Sequence, residues 1–199
     1  MPAGLLREPI AWGLQRSDVL ILTHADLVDP FSLEAQRQEM GSSAPGVPLF
    51  SATIYPTHLS LLGALAHGKT SAIEPLTILQ GRKVFLVSGI GNPESFEAMM
   101  RRHHLGSVVG HAVLEDHALY DETRCREIEL DALRAGAQEI VTTSKDAIKL
   151  SVIFSQCPYQ VRRWYAIGIR WVFLDGEENF WQLLGQKIFR RDVEFVGKA

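Results

Sequence analysis

The chain has 199 residues, 46% of them hydrophobic and 22% charged, with a formal net charge of −3. Such a balance fits one globular domain, or a domain with a small appendage, and excludes a generally basic nucleic-acid binder. No apolar run reaches the length of a membrane span. Two cysteines, Cys125 and Cys157, lack the spacing of a zinc site or a disulfide framework.

The N-terminal MPAGLLREP has no apolar signal-peptide core, which points to the cytoplasm. REPIAWGLQRSD reads as a short helix, VLILTH (Val19 to His24) as a buried strand, and PFSLEAQRQEM as a helix followed by the loop Gly41 to Gly46. VPLFSATIYP alternates and carries β-branched and aromatic residues, so it predicts a strand ending at Pro56. After it, PTHLSLL reads as a helix start.

The segment from Arg82 to His117 predicts strand, glycine turn, helix, strand. Asn92 suits the N-cap, Pro93 the first helical position and Glu94 the positive end of the helix dipole. A helix is expected from Asp121 to Arg134 and a strand at QEIVTT. Thr143 to Asp146 forms a T-x-x-D capping box opening a helix through Lys149. WYAIGIRWVFL predicts a late strand and EENFWQLLGQKIFRR a closing amphipathic helix. The alternation implies an α/β fold with a largely parallel sheet and flanking helices, in which ligands sit at the carboxyl ends of strands.

One string, GALAHGKT (Gly63 to Thr70), matches G-x-x-x-x-G-K-[ST], the phosphate-binding loop pattern. That loop needs a buried strand before it and a long helix after it, so that backbone N–H groups cradle phosphate. Here the preceding segment reads as helical, and Pro75 would break a helix five residues past Thr70. A short helix ending at Gly68 is the plainer reading.

Taken together, Pro2-Ala3-Gly4, Arg7-Glu8-Pro9, SGIGNPESF, EDHALY and TTSKDAIKL occur in this order. On these motifs the chain resembles the tetraacyldisaccharide 4'-kinases, the lipid A 4'-kinases of Gram-negative bacteria. That family shows L-P-A-G-P-L-R-E-P, G-I-G-x-P-x-x-F, F-x-D-H-[HY] and T-T-x-K-D-A-V-K in the same order. The resemblance covers the C-terminal part of the family and implies the C-terminal portion of a P-loop-kinase-like fold. The family's own phosphate loop, its D-D-G-F-Q motif and a membrane-associating helix belong upstream of the first motif. The expectation is therefore a truncated or split member, inactive alone, with a separate N-terminal P-loop half as partner. Residues 1–199 are expected to form a single α/β region, with linker and hinge elements over 1–80 and a compact unit over 81–199.

The resemblance implies ATP and Mg²⁺ as cofactors and phosphorylation of the 4'-hydroxyl of a tetraacylated glucosamine disaccharide 1-phosphate. The work would be done at the cytoplasmic face of the inner membrane, peripherally, with no nucleic acid involved. Arg7 and Glu8 match the family's Arg-Glu pair near the nucleotide. A guanidinium neutralises charge on a transferring phosphoryl group, and Glu8 is the candidate metal ligand. His117 and Asp116 match the catalytic D-H element, an imidazole suited to sharing a proton near neutral pH.

Arg101 and Arg102, in RRHH, are candidates for the substrate's 1-phosphate or for anionic lipid; a solvated helix face is the alternative. Gly89 and Gly91 either admit a ligand to the backbone or form an ordinary strand-to-helix turn. Trp181, Leu183, Leu184, Ile188 and Phe189 serve acyl contact or core packing. Departures from the family pattern are Leu5, Leu114, Ala118 and Ser144, which stand for Pro, Phe, His or Tyr, and Glu. Two other readings stand beside this one: a non-catalytic lipid-sugar-binding or scaffold module, and a self-sufficient NTPase using Lys69.

Overall fold

The computed structural model describes residues 9–65, 73–115, 119–156 and 163–196. The chain divides into two compact units, one of Met1–Thr53 with Trp171–Ala199 and the other of Ile54–Arg170. Two long strands, β2 (Leu49–Leu61) and β7 (Arg163–Phe173), contribute residues to both.

In the second unit a largely parallel sheet is flanked by helices. β4 (Lys83–Ser88), β5 (Ser107–Val113), β6 (Glu139–Thr143) and β7 lie in the order β7-β6-β4-β5, all parallel. β2 lies beyond β7, and β3 (Ile73–Glu74) pairs antiparallel with it at Leu59 and Ser60. The connecting helices are α4 (Pro93–Arg102), α5 (Glu122–Arg134) and α6 (Ser144–Gln156).

Strand alternation sorts the core into two faces. Val84, Leu86, Val141, Tyr165 and Ile167 pack with Phe96, Met99 and Met100 of α4. Phe85, Val87, Ile140, Trp164 and Ala166 pack with Ile128 of α5 and with Leu150 and Phe154 of α6. Since both faces of β4 are covered, VFLV is a continuous apolar run with no alternation. The Trp164 indole reaches the core without losing its hydrogen bond, donating to Glu129 at 3.0 Å.

The first unit holds α1 (Ile10–Gln15), β1 (Leu20–Leu22), α2 (Pro30–Ser43), the start of β2, the end of β7 and α7 (Glu177–Val196). β1 pairs parallel with β2 from Leu20↔Leu49 to Leu22↔Ser51. Asp175 joins three of these pieces. Its carboxylate accepts from Ser51 N at 3.2 Å and from Arg37 of α2 at 2.7 Å. Phe50, Phe173 and Phe180 of the same unit contact one another, Phe50 edge-on to the other two and the closest ring centroids 4.5 Å apart.

The structure corrects four expectations. VLILTH is strand only over Leu20–Leu22 and is not buried, Ile21 at its centre being exposed. β2 continues through Pro56 to Leu61, so PTHLSLL is strand, not a helix start. The physical reason is that, among the described residues, β1 pairs with β2 only at residues 49–51 and β3 only at 59–60, so neither pairs with the stretch around Pro56. A missing N–H costs nothing there. α2 runs through Gly41-Ser42-Ser43 before it stops, and Gly46, with φ 82°, makes the turn. α6 extends seven residues past Lys149, to Gln156.

Among the described residues no helix is long and apolar enough to cross a membrane. Gly106 is held to glycine both by its backbone conformation and by its neighbours. Its φ is 78°, and a Cβ would lie 2.5 Å from Val84 Cγ2 and 2.9 Å from Arg82 O. Gly106→Ala should therefore lower stability by about 2 kcal/mol or more, read as a shifted urea midpoint with an unchanged slope. An unchanged midpoint would contradict this packing.

Candidate functional site

The parallel strands of the second unit end at one edge, where three segments meet. β4 ends at Ser88 and turns through Gly89 to Asn92 into α4. There Asn92 Oδ1 accepts from Ser95 N at 3.1 Å and Pro93 opens the helix, as the sequence predicts. β6 ends at Thr143 and leads into α6, and Glu115, Leu119 and Tyr120 follow β5 in the sequence.

Asp146 holds these segments together. It is fully buried, and its Oδ2 accepts from Gly89 N at 3.0 Å and from Thr143 Oγ1 at 2.7 Å. Asp146 N donates back to Thr143 Oγ1 at 3.2 Å. The T-x-x-D pair thus caps α6 as expected, while the carboxylate also satisfies a backbone donor 57 residues away.

Position 89 favours glycine. A Cβ there would lie 3.2 Å from Asp146 Oδ1, 3.3 Å from Glu115 O and 3.4 Å from the Tyr120 hydroxyl. Glu115 and Tyr120 flank the segment that carries Asp116 and His117, so both of its shoulders sit against the glycine turn. Asp116 and His117 themselves lie outside the described residues, as do Arg7, Glu8 and Lys69.

Asp146 Oδ1, the Tyr120 hydroxyl and Thr142 Oγ1 are buried without a hydrogen-bond partner among the described residues. Burial first, and the neighbouring Asp146 charge second, push the Tyr120 phenol far above its usual 10. Lys149 of α6 lies 6.0 Å from the centroid of the Tyr120 ring.

A second polar chain runs from the same turn to the surface. Ser88 Oγ lies 2.9 Å from His111 Nε2, and His111 Nδ1 lies 3.1 Å from Glu97 Oε2. Glu97 also pairs with Arg101 at 2.8 Å. A carboxylate only accepts, so the imidazole proton sits on Nδ1 and Ser88 donates to Nε2. Arg101, with a smaller contribution from His111, holds the Glu97 carboxyl below its usual range. The order hydroxyl, imidazole, carboxylate is that of a nucleophilic triad, but Ser88 is fully buried and the neighbouring Gly89 N is already bonded. The chain braces the fold; it cannot attack a substrate.

Arg101 and Arg102 occupy the last turn of α4. Ten helical residues span about 15 Å, so these arginines lie at the far end of the helix from Asn92 and the glycine turn. Gly63 falls in the short helix α3 (Leu62–Leu65), directly after β2. One requirement of a phosphate loop, the preceding strand, is therefore met, but the first glycine is helical. Trp181 and Ile188 are exposed on α7, Leu183 and Leu184 are half-buried, and the Phe189 side chain lies outside the described set.

Among the described residues no group of three or more His, Cys, Asp or Glu side chains is arranged to hold a metal ion. Neither His58 nor Tyr120 is a candidate on sequence grounds. Each carries meaning only through what the fold places beside it.

Two outcomes test this junction. Asp146→Ala strands the Gly89 and Thr143 donors and should cost about 3 kcal/mol in urea unfolding, with Asp146→Asn costing less. Tyr120 has a raised pKa, so its contribution to stability is complete below the unfolded value of 10 and is lost as pH rises past it. Wild type should lose stability as pH rises above about 10, and Tyr120→Phe should remove part of that loss.

Comparison with known proteins supplies the context for these motifs. The family model described as tetraacyldisaccharide-1-P 4'-kinase matches residues 1–188. The tetraacyldisaccharide 4'-kinase of Pelobacter propionicus is 31% identical over 161 residues, 81% of this chain and 40% of that protein. The protein of the same name from Geobacter sulfurreducens is 34% identical over 154 residues, 76% of this chain and 37% of that one. The chain thus spans about two fifths of the length of the curated relatives it matches. A crystal structure of LpxK from Aquifex aeolicus, in complex with ATP, superposes with a TM-score of 0.50 at 22% identity, covering 94% of this chain and 47% of that one. That likeness supports the fold, and the family match supplies the rest: this chain belongs to the tetraacyldisaccharide-1-phosphate 4'-kinase family.

Proposed function

We propose that this chain takes part in ATP-dependent phosphorylation of the 4'-hydroxyl of a tetraacyldisaccharide 1-phosphate, the reaction for which its family is named. The observation that carries the proposal is the buried Asp146–Gly89–Tyr120 junction. It braces both shoulders of the Asp116-His117 segment at the carboxyl ends of parallel strands, where α/β sheets hold ligands.

In this reading His117 takes the proton from the acceptor hydroxyl and Asp116 supports it. Arg7 stabilises charge on the transferring phosphoryl group, and Glu8 helps hold Mg²⁺, which supplies charge neutralisation on the phosphates. Arg101 and Arg102 meet the substrate's 1-phosphate. Their place at the far end of α4 suits that role better than contact with the reacting hydroxyl, since the 1-phosphate lies at the other end of the disaccharide. The phosphate-cradling loop is supplied by sequence beyond these residues, on the same chain or on a separate one. The substrate's acyl chains place the work at the inner-membrane surface, with the protein peripheral to it.

Purified residues 1–199 should show no ATP-dependent 4'-phosphorylation. Activity should appear when the segment matching the rest of the relatives' length is present, and His117→Ala should then lower kcat at least about a hundredfold. Lys69→Ala should leave ATP affinity unchanged. Robust transfer by residues 1–199 alone, lost in Lys69→Ala, would sink this reading in favour of the GALAHGKT loop.

A further inference from the structure

A groove of about 330 Å³ opens in the second unit between β2, β7 and the first two turns of α6. It shares its edge with the Asp146 junction: Gly168 follows Ile167, the residue paired with Thr143 where β6 ends. The volume lies within the range of small-molecule sites.

The lining is built from small residues on the strands, Ser60, Ala166 and Gly168, which leave the space open. A Cβ at Gly168 would lie within 2.6 Å of three atoms of the His58 ring, so the glycine leaves room for the ring in its present place. His58 Nδ1 is engaged by Thr57 Oγ1 at 2.8 Å, and its Nε2 has no partner among the described residues. Ser60 Oγ likewise has none. From α6, Ser151 donates to Ile148 O at 2.8 Å and keeps its lone pairs for a ligand.

Among the described residues no Asp, Glu, Lys or Arg lines the groove. The surface therefore offers hydroxyls and one imidazole nitrogen on one side, with the flat, apolar Ala166–Gly168 floor on the other. A phosphate would find no cation among these lining residues, and a bare acyl chain would strand their polar atoms. A neutral pyranose satisfies both sides, its hydroxyls meeting the polar atoms and its C–H face meeting the floor.

We infer that this groove is a subsite for one uncharged sugar ring of an acyldisaccharide, with His58 Nε2 and Ser60 Oγ bonding ring hydroxyls. The inference rests on the family reading for the disaccharide class, and on the groove for the place and the residues. Neither His58 nor Ser60 belongs to the motifs from which that reading comes.

The test is an amide chemical-shift titration of isotope-labelled residues 1–199 with diacetylchitobiose, an uncharged glucosamine disaccharide, and in parallel with inorganic phosphate. The disaccharide should shift Ser60, Ala166 and Gly168 saturably, and phosphate should not. His58→Ala should weaken binding about fivefold, the loss of one neutral hydrogen bond, and His58→Gln should recover most of it. Should His58→Ala fail to fold, Ser60→Val provides the same comparison. Unmoved groove amides, a response to phosphate in place of sugar, or equal affinity in the variants would overturn the assignment. The readout needs neither ATP nor transfer. Sugar binding without kinase activity in the completed enzyme would thus remove the kinase reading alone, and kinase activity without a groove response would remove the subsite alone.

Discussion

The carboxylate of Asp146 is the constraint on which the carboxyl edge of the second unit depends. One of its oxygens satisfies a helix-start hydroxyl and a backbone N–H at the end of another strand. A buried carboxylate is tolerable only when such donors surround it, and the donors are tolerable only because it is there. Gly89 completes the arrangement, since a side chain there would press on Asp146, Glu115 and Tyr120. Three strand ends are thereby fixed by one side chain and one absent side chain.

A second, independent brace starts at the adjacent residue. The Ser88–His111–Glu97–Arg101 chain leaves the same turn by the opposite face of the sheet and ends at the solvent-exposed surface of α4. Both imidazole nitrogens are occupied, so His111 is committed to structure. The division of labour follows strand alternation: Ser88 looks towards α4, while Gly89 N is taken by the α6 side.

Much of the fold was legible in the sequence because its signals are local. Asn92-Pro93 and Asp121 mark helix starts that the structure reproduces, and the βα alternation fixes the parallel sheet. Pro56 misled because the sequence does not show which strand edge lacks a partner. The capping box at Thr143 and Asp146 was legible as a cap, but nothing local announces that its carboxylate reaches Gly89. His58 was invisible for the same reason: its meaning depends on Gly168, more than a hundred residues later. The family, in contrast, was readable from four short motifs in order, since their order and spacing identify it even though Leu5, Leu114, Ala118 and Ser144 depart from the pattern.

The Gly89–Asp146 bond also has a bearing on how the unit assembles. It closes a loop of 57 residues and requires β4 and β6 to lie side by side already. Loop closure of that length is entropically unfavourable until neighbouring contacts repay it. The bond therefore belongs to the late stage of folding. The Gly89 amide, though it lies in a turn, becomes a reporter of the finished edge: slow to exchange with solvent only once the parallel strands have found their order.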